Sequence, residues 1–158
     1  MNQKQRIFEI TAVLLMIDQI IKLIIHSKMT LFQEIVIIPK FFSILYVQNT
    51  GAAFSFLENN TFLLSIISVV FILILNHYIN KESSHFNVYE VISYGMIMGG
   101  IFGNLIDRLL HHSVIDYLSF TFWGYQFAIF NFADICIVLG VILLLIVSIF
   151  NAKIIHRK

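Results

Sequence analysis

Apolar residues fall in four long stretches along this 158-residue chain, with polar connections between them. The stretches run from Ile7 to Ile25, from Phe62 to about Ile79, from Val88 to Leu110, and from about Phe127 to Phe150. Each approaches the roughly 20 residues that a helix needs to cross the hydrocarbon core of a bilayer. The pattern predicts an all-α membrane protein, a bundle of four transmembrane helices forming one domain over residues 1–158. The connections 27–61 and 111–126 read differently. Glu34-Ile-Val-Ile-Ile38 reads as a strand, Pro39-Lys40 as a turn, and Phe41 to Gln48 as a second strand rich in aromatic and branched residues. Asn49-Thr50-Gly51 breaks it, so a small hairpin is expected beside the helices. Gly124 to Ala128 reads as a short extended piece leading into the last helix. No repeat, low-complexity tract or flexible linker divides the chain.

Composition supports lipid as the solvent. Hydrophobic residues make up 59% of the chain, with sixteen Phe, 12% charged residues and a mean hydropathy of +0.88. A soluble domain is nearer 45–50% apolar. A formal net charge of +1 gives no sign of a nucleic-acid partner. The single cysteine, Cys136, rules out an intrachain disulfide and reads as a small apolar filler. Lys4 and Arg6 before the first helix resemble the start of a cleaved signal. However, Asp18 and Lys22 interrupt the apolar run, and no small-residue cleavage site follows in His26-Ser27-Lys28, so the helix is expected to stay. Lys4, Arg6, Lys81, Lys153, Arg157 and Lys158 flank one side of the predicted bundle. Only Lys28 and Lys40 lie on the other. The positive-inside rule then places both termini in the cytoplasm and the loops 27–61 and 111–126 outside. Trp123, Tyr125 and Tyr117 lie where an interfacial aromatic belt is expected.

Against this apolar background the polar residues stand out. Gly95, Gly99 and Gly103 repeat at four-residue spacing on one face of the third helix, which helix packing alone explains. Asn104, Asp107 and Arg108 follow at the end of that helix. They either snorkel to the interface or form a polar cluster beside a site. Asp18 and Lys22 share a face of the first helix, as a structural ion pair or as groups that handle substrate. Asp116 and Asp134 flank the outer mouth of the third and fourth helices. Carboxylates near bilayer depth cost at least about 2.5 kcal/mol and usually mark chemistry. Brought together, they cannot both ionise easily, so one holds a proton near neutral pH. Such a pair supplies a base to deprotonate water and an acid to protonate a peptide carbonyl and its leaving amine. Asn131, three residues before Asp134, is placed to orient a carboxyl. Two unrelated interfacial aspartates are the alternative.

Five motifs together resemble one family. Asn49-Thr-Gly51-Ala52-Ala53-Phe54 is similar to an NxGAAF box. Gly99-Gly100-Ile-Phe-Gly103-Asn104-Leu-Ile-Asp107-Arg108 is similar to a GGxxGNxxDR box. Val114-Ile-Asp116-Tyr117 and Phe130-Asn131-Phe-Ala133-Asp134 resemble two aspartate boxes, and Asp18-x-x-x-Lys22 a first-helix motif. In this order they resemble the bacterial lipoprotein signal peptidases (signal peptidase II). The resemblance implies four transmembrane helices with a small extracytoplasmic β-cradle, in the bacterial cytoplasmic membrane. It also implies a catalytic dyad at Asp116 and Asp134. No ligand cluster of suitable spacing occurs in the sequence, so neither metal nor cofactor is expected. Asp18, Lys22, Asn49, Gly51, Asn104, Asp107, Arg108, Asn131 and Ala133 are the implied supporting residues. The implied substrates are prolipoproteins already modified with diacylglycerol, cut just before the lipidated cysteine by an enzyme read as a monomer among membrane lipids. Gln48 stands where the family sometimes has a basic residue, and Tyr117 where it often has Phe. The outer segment Asn49–Phe54 is expected to cover the pocket.

Other classes fit less well. A proton-coupled transporter would spread its polar groups through the membrane, whereas here they crowd at the outer end. A purely structural subunit needs packing glycines but not two opposed aspartates. There is no HExxH, the adjacent His111 and His112 share no helical face, and no GxSxG elbow occurs.

Overall fold

The computed structural model describes residues 2–51 and 60–155. It is mostly helical with a small antiparallel sheet, in the order α1 (Gln3–Lys28), β1 (Glu34–Ile38), β2 (Phe42–Asn49), α2 (Thr61–Glu82), α3 (Val88–His111), β3 (Val114–Phe122), β4 (Tyr125–Gln126) and α4 (Phe132–Ile155). Local chemistry sets several helix ends. Asn2 with Gln5 and Asn87 with Glu90 form reciprocal capping boxes at the starts of α1 and α3. His112 closes α3 in the left-handed region, at φ 55°. A 3₁₀ turn, Ser83–His85, joins α2 to α3, and Gln3 Nε2 donates to Phe86 O at 3.3 Å. The start of α1 thus lies beside the α2–α3 connection.

Helix α3 is central and packs against α1, α2 and α4. Its glycines make that closeness possible. A Cβ on Gly95 would meet Ile10 Cγ2 at 2.6 Å, and one on Gly99 would meet Leu14 Cβ at 3.1 Å, so the predicted glycine face is turned to α1. Gly100 faces α4 instead, against Ala133 O and Ile137. One apolar core (Ile7, Ile79, Phe86, Val91, Tyr94, Met98) fills the end of the bundle near the α2–α3 turn. A second (Met29, Tyr46, Ile115, Tyr117) lies between helices and sheet.

The sheet has the order β1-β2-β3-β4, all antiparallel. Strands β1 and β2 fall where the sequence places them, to within a residue. β3 was not expected, because residues 111–126 read as an outer loop, in which Asp116, Ser119 and Thr121 interrupt the apolar residues. The fourth helix starts at Phe132 rather than near Phe127. Residues 127–131 are held extended by β3: Phe127 N donates to Phe120 O at 2.8 Å, and Phe130 and Leu118 exchange hydrogen bonds at 3.1 and 2.8 Å. Tyr117 is also corrected. It is buried in the second core rather than lying in an aromatic belt.

One irregularity in the sheet matters for the site. The β2–β3 register shifts between Ile44 and Val47, so Asp116 pairs with Val47, whereas the register of Ile44 with Leu118 would have set it opposite Tyr46. A one-residue bulge reverses which face later side chains occupy. It puts Asn49 on the same face as Asp116.

Candidate active site

Asp116 comes from β3 and Asp134 from the first turn of α4. Asn131, fully buried, links them. Asn131 Oδ1 accepts from Asp134 N at 3.0 Å and Asn131 N donates to Asp134 Oδ2 at 3.1 Å, a reciprocal cap that starts α4 and fixes its aspartate. The same residue's Nδ2 donates to Asp116 Oδ1 at 2.7 Å and to Asn104 Oδ1 at 3.1 Å. Asn104 Nδ2 donates to Asp134 Oδ1 at 2.8 Å, and Asn49 Nδ2 to Asp116 Oδ2 at 2.9 Å. Asn49 is itself held by Gly51, whose N–H donates to Asn49 Oδ1 at 2.9 Å. Every oxygen of the two carboxyls thus has a donor from Asn49, Asn104 or Asn131, and lone pairs remain for water or substrate.

Beneath this layer lies a buried ionic one. Lys22 Nζ is 2.9 Å from Asp18 Oδ2, 2.9 Å from Asp107 Oδ2 and 3.0 Å from Asn104 Oδ1. These partners use all three ammonium hydrogens, so Lys22 has none left to offer a substrate. Its carboxylate partners reach onward. Asp18 Oδ1 accepts from Ala133 N at 3.0 Å, and Asp107 Oδ2 accepts from Ile115 N at 3.0 Å. Ala133 and Ile115 immediately precede Asp134 and Asp116. One lysine therefore steadies two carboxylates, each gripping the backbone beside one member of the pair. Gly103 keeps room for this, since a Cβ there would strike Asp18 Oδ2.

The sequence reading missed Gln19, whose Nε2 donates to Asp18 Oδ2 at 3.1 Å, Asp107 Oδ1 at 3.2 Å and Gly103 O at 3.3 Å. A polar amide beside Asp18 in an apolar helix was the available signal. It also missed the site role of Tyr117, whose hydroxyl accepts from Phe132 N at 3.2 Å in the first turn of α4.

Asn49, Gly51, Asn104, Arg108, Asp116 and Asp134 line a cavity of about 640 Å³ whose other walls are residues 127–130 and the apolar face of α4. Asp18, Lys22, Asp107, Asn131 and Ala133 do not line it and lie behind it. Arg108 Nη1 is 3.5 Å from Asn104 O, and among the described residues its buried Nε has no hydrogen-bond partner. Burial, and secondarily the charge of Asp134, push the Asp116 carboxyl up from 3.8 to about 7, against the opposing donors Asn49 and Asn131. Among the described residues no cluster of three or more His, Cys, Asp or Glu could hold a metal ion. Ala52, Ala53 and Phe54 of the expected covering segment lie outside the described residues.

Long apolar helices around a cavity lined by the buried Asp116 and the half-buried Asp134 fit a membrane enzyme. Solved structures agree. One bacterial membrane enzyme, determined by the in meso method at 2.3 Å, matches with a TM-score of 0.85 and 29% identity, over 96% of this chain and 91% of its own. Another, at 1.9 Å, matches with a TM-score of 0.79 and 30% identity over 90% and 91%. The sequence profile of signal peptidase (SPase) II matches residues 10–150. The lipoprotein signal peptidase of Symbiobacterium thermophilum is 39% identical over 132 residues, 84% of this chain and 86% of that protein. That of Maridesulfovibrio salexigens is 36% identical over 148 residues, 91% and 94% of the two chains. The chain belongs to the signal peptidase II family of membrane proteases.

Proposed function

We propose that this chain is an aspartyl endopeptidase that removes the signal peptide from diacylglyceryl-modified prolipoproteins, with Asp116 and Asp134 as its catalytic pair. The observation that carries this reading is the pair itself. Its two carboxyls share one asparagine, every oxygen is oriented by a donor, and both face one apolar cavity. With Asp116 raised to about 7, the pair keeps one proton near neutral pH. The ionised carboxylate takes a proton from water as the water oxygen attacks the peptide carbonyl carbon. The protonated partner donates to the carbonyl oxygen, giving a tetrahedral diol. Proton transfer to the amide nitrogen then lets the C–N bond break, releasing the signal peptide's new carboxylate and the free amine of the lipidated cysteine. The buried Nε of Arg108, unpaired among the described residues, is a donor for a substrate carbonyl. The apolar wall of α4 suits acyl chains, so a lipidated substrate can enter sideways from the bilayer.

The helices support four spans in one domain. By length and composition α2 and α4 are long and apolar enough to cross a membrane. Helices α1 and α3, of 26 and 24 residues, are as long. Of the charges in their outer halves, Asp18, Lys22 and Asp107 are buried against one another rather than turned to lipid, and Arg108 lines the cavity. With α1 beginning beside the α2–α3 turn, Lys4, Arg6 and Lys81 gather at one end. This end is cytoplasmic and the sheet lies at the outer leaflet. The enzyme acts as a monomer.

The test is direct. Purified protein incubated with a diacylglyceryl-modified prolipoprotein should release the signal peptide and leave the unmodified precursor intact. Failure to cut the modified precursor contradicts the proposal.

A further inference from the structure

The β3–β4 hairpin is built against ordinary turn chemistry. Phe122 pairs with Tyr125, leaving Trp123 and Gly124 as a two-residue turn with φ of 50° and 83°. Two positive φ values in a two-residue hairpin call for Asn-Gly or Gly-Gly. Gly124 meets that demand, but Trp123 does not, since a bulky residue is strained there. The fold gains little in return. Trp123 is 95% exposed and Tyr125 82%, and the one ring contact of the indole among the described residues is to its neighbour Phe122, 6.4 Å between centroids. A Cβ at Gly124 would meet nothing within 4 Å, so the tip stands clear of the rest of the described protein.

The chemistry of the tip is that of an interface. From Tyr117 to Ala133 the chain has no charged residue, while Phe122, Trp123, Tyr125 and Phe127 are all exposed. In water this patch would invite aggregation. In the headgroup region, Trp and Tyr place ring bodies toward the acyl chains and N–H or O–H toward ester and phosphate oxygens. Continuity places the tip there too, because the segment from Gln126 to the apolar helix α4 at Phe132 is short and extended.

We propose that the β3–β4 hairpin tip is a membrane anchor whose Trp123, flanked by Phe122 and Tyr125, inserts into the outer-leaflet interface. The anchor fixes the depth of residues 127–130, one wall of the cavity, so that the cavity mouth opens at the level where a lipidated peptide leaves the acyl region. This rests on the membrane-embedded reading above, and the test separates the two.

Trp123 is the only tryptophan in the chain, so its fluorescence reports on the tip without any substitution. The intact protein is placed in vesicles of zwitterionic lipid carrying bromines at shallow or deep chain positions. The expected result is emission blue-shifted from that of the denatured chain, protection from aqueous acrylamide, and stronger quenching by shallow than by deep bromines. Water-like emission with full acrylamide access and no bromine quenching overturns the anchor. Protection that depends on protein concentration but not on lipid bromination also overturns it, in favour of a second copy or another protein. A W123F/F71W variant reports from α2, where Phe71 is 56% exposed. Quenching of that variant by deep bromines keeps the membrane reading even if the tip fails. Absence of quenching in both would remove the membrane reading itself.

Discussion

Replacing Lys22 with methionine should destabilise the protein severely and disable the site, although Lys22 does not line the cavity. Methionine keeps much of the length and volume of the side chain, so the loss is chiefly electrostatic. Lys22 is 2% exposed and holds Asp18 and Asp107, each at 2.9 Å and themselves only 1% and 2% exposed. Removing one partner of a buried ion pair costs about 3–5 kcal/mol, because the other charge is left uncompensated. Here two carboxylates lose their cation at once, so the upper part of that range applies. Their onward bonds to Ala133 N and Ile115 N then weaken, and with them the placing of Asp134 and Asp116. A misplacement of about 1 Å near reacting groups can cost 10²-fold in rate. Unfolding in mixed micelles titrated with a denaturing detergent, alongside cleavage assays, reads both effects. A second substitution, Asp107→Asn, still accepts from Ile115 N but removes one of the stranded charges, so the double variant should regain about 0.5–3 kcal/mol over Lys22→Met alone. A single variant within about 1 kcal/mol of the parent, or a double variant no more stable than the single, would refute the ionic layer as the support of the pair.

Other outcomes follow from the same geometry. Asp116 has a folded value of about 7 against 3.8 unfolded, so between them the unfolded chain has released a proton that the folded protein keeps. Stability should therefore fall as pH rises through that window, by at most about 4 kcal/mol, and Asp116→Asn should flatten the slope. Stability titrations of both proteins check this, and equal slopes would contradict it. Arg108→Ala should leave folding nearly intact while weakening substrate binding or turnover, since its buried Nε has no partner to lose among the described residues; unchanged KM and kcat would reduce Arg108 to a snorkelling residue. In a Cys136→Ala background, a cysteine at Lys40 should react with an impermeant thiol reagent from outside and one at Lys81 should not. Equal or reversed labelling overturns the orientation.

The sequence was most legible where one physical demand dominates. Four apolar runs predicted four long helices, and runs of branched and aromatic residues on either side of Pro39-Lys40 predicted β1 and β2, because residue preference and turn chemistry are local. Asp18 with Lys22 was legible as an ion pair from spacing alone. Its reach to Asp107 was not, since that contact joins helices far apart in the chain. The start of α4 was misplaced because Phe127–Phe130 is as apolar as the helix it precedes. Hydrogen bonds from β3, a strand the sequence reading did not expect, hold it extended. Asn131 was legible as a neighbour of Asp134, but its double duty toward Asp116 depends on the strand that carries Asp116. Asn49 reaches the site through a bulge that no local pattern announces. Tyr117 looked like a belt residue because a tyrosine between apolar neighbours reads the same whether it faces lipid or core.

The central claim is that Asp116 and Asp134 act as one acid–base unit. Asn at either position preserves size and leaves an oxygen for most of the donors around it, yet cannot exchange a proton. Asp116→Asn, Asp134→Asn and the double variant, each purified from cells lacking any other such peptidase, are assayed on a diacylglyceryl-modified prolipoprotein. General acid–base assistance is worth roughly 10²–10⁴-fold, and groups that act as a unit are not additive. Each single variant should therefore lose nearly all cleavage and the double variant little more, while all three still insert and bind substrate. Substantial turnover by either single variant, or a double variant worse by the product of the two single losses, would contradict a shared catalytic pair.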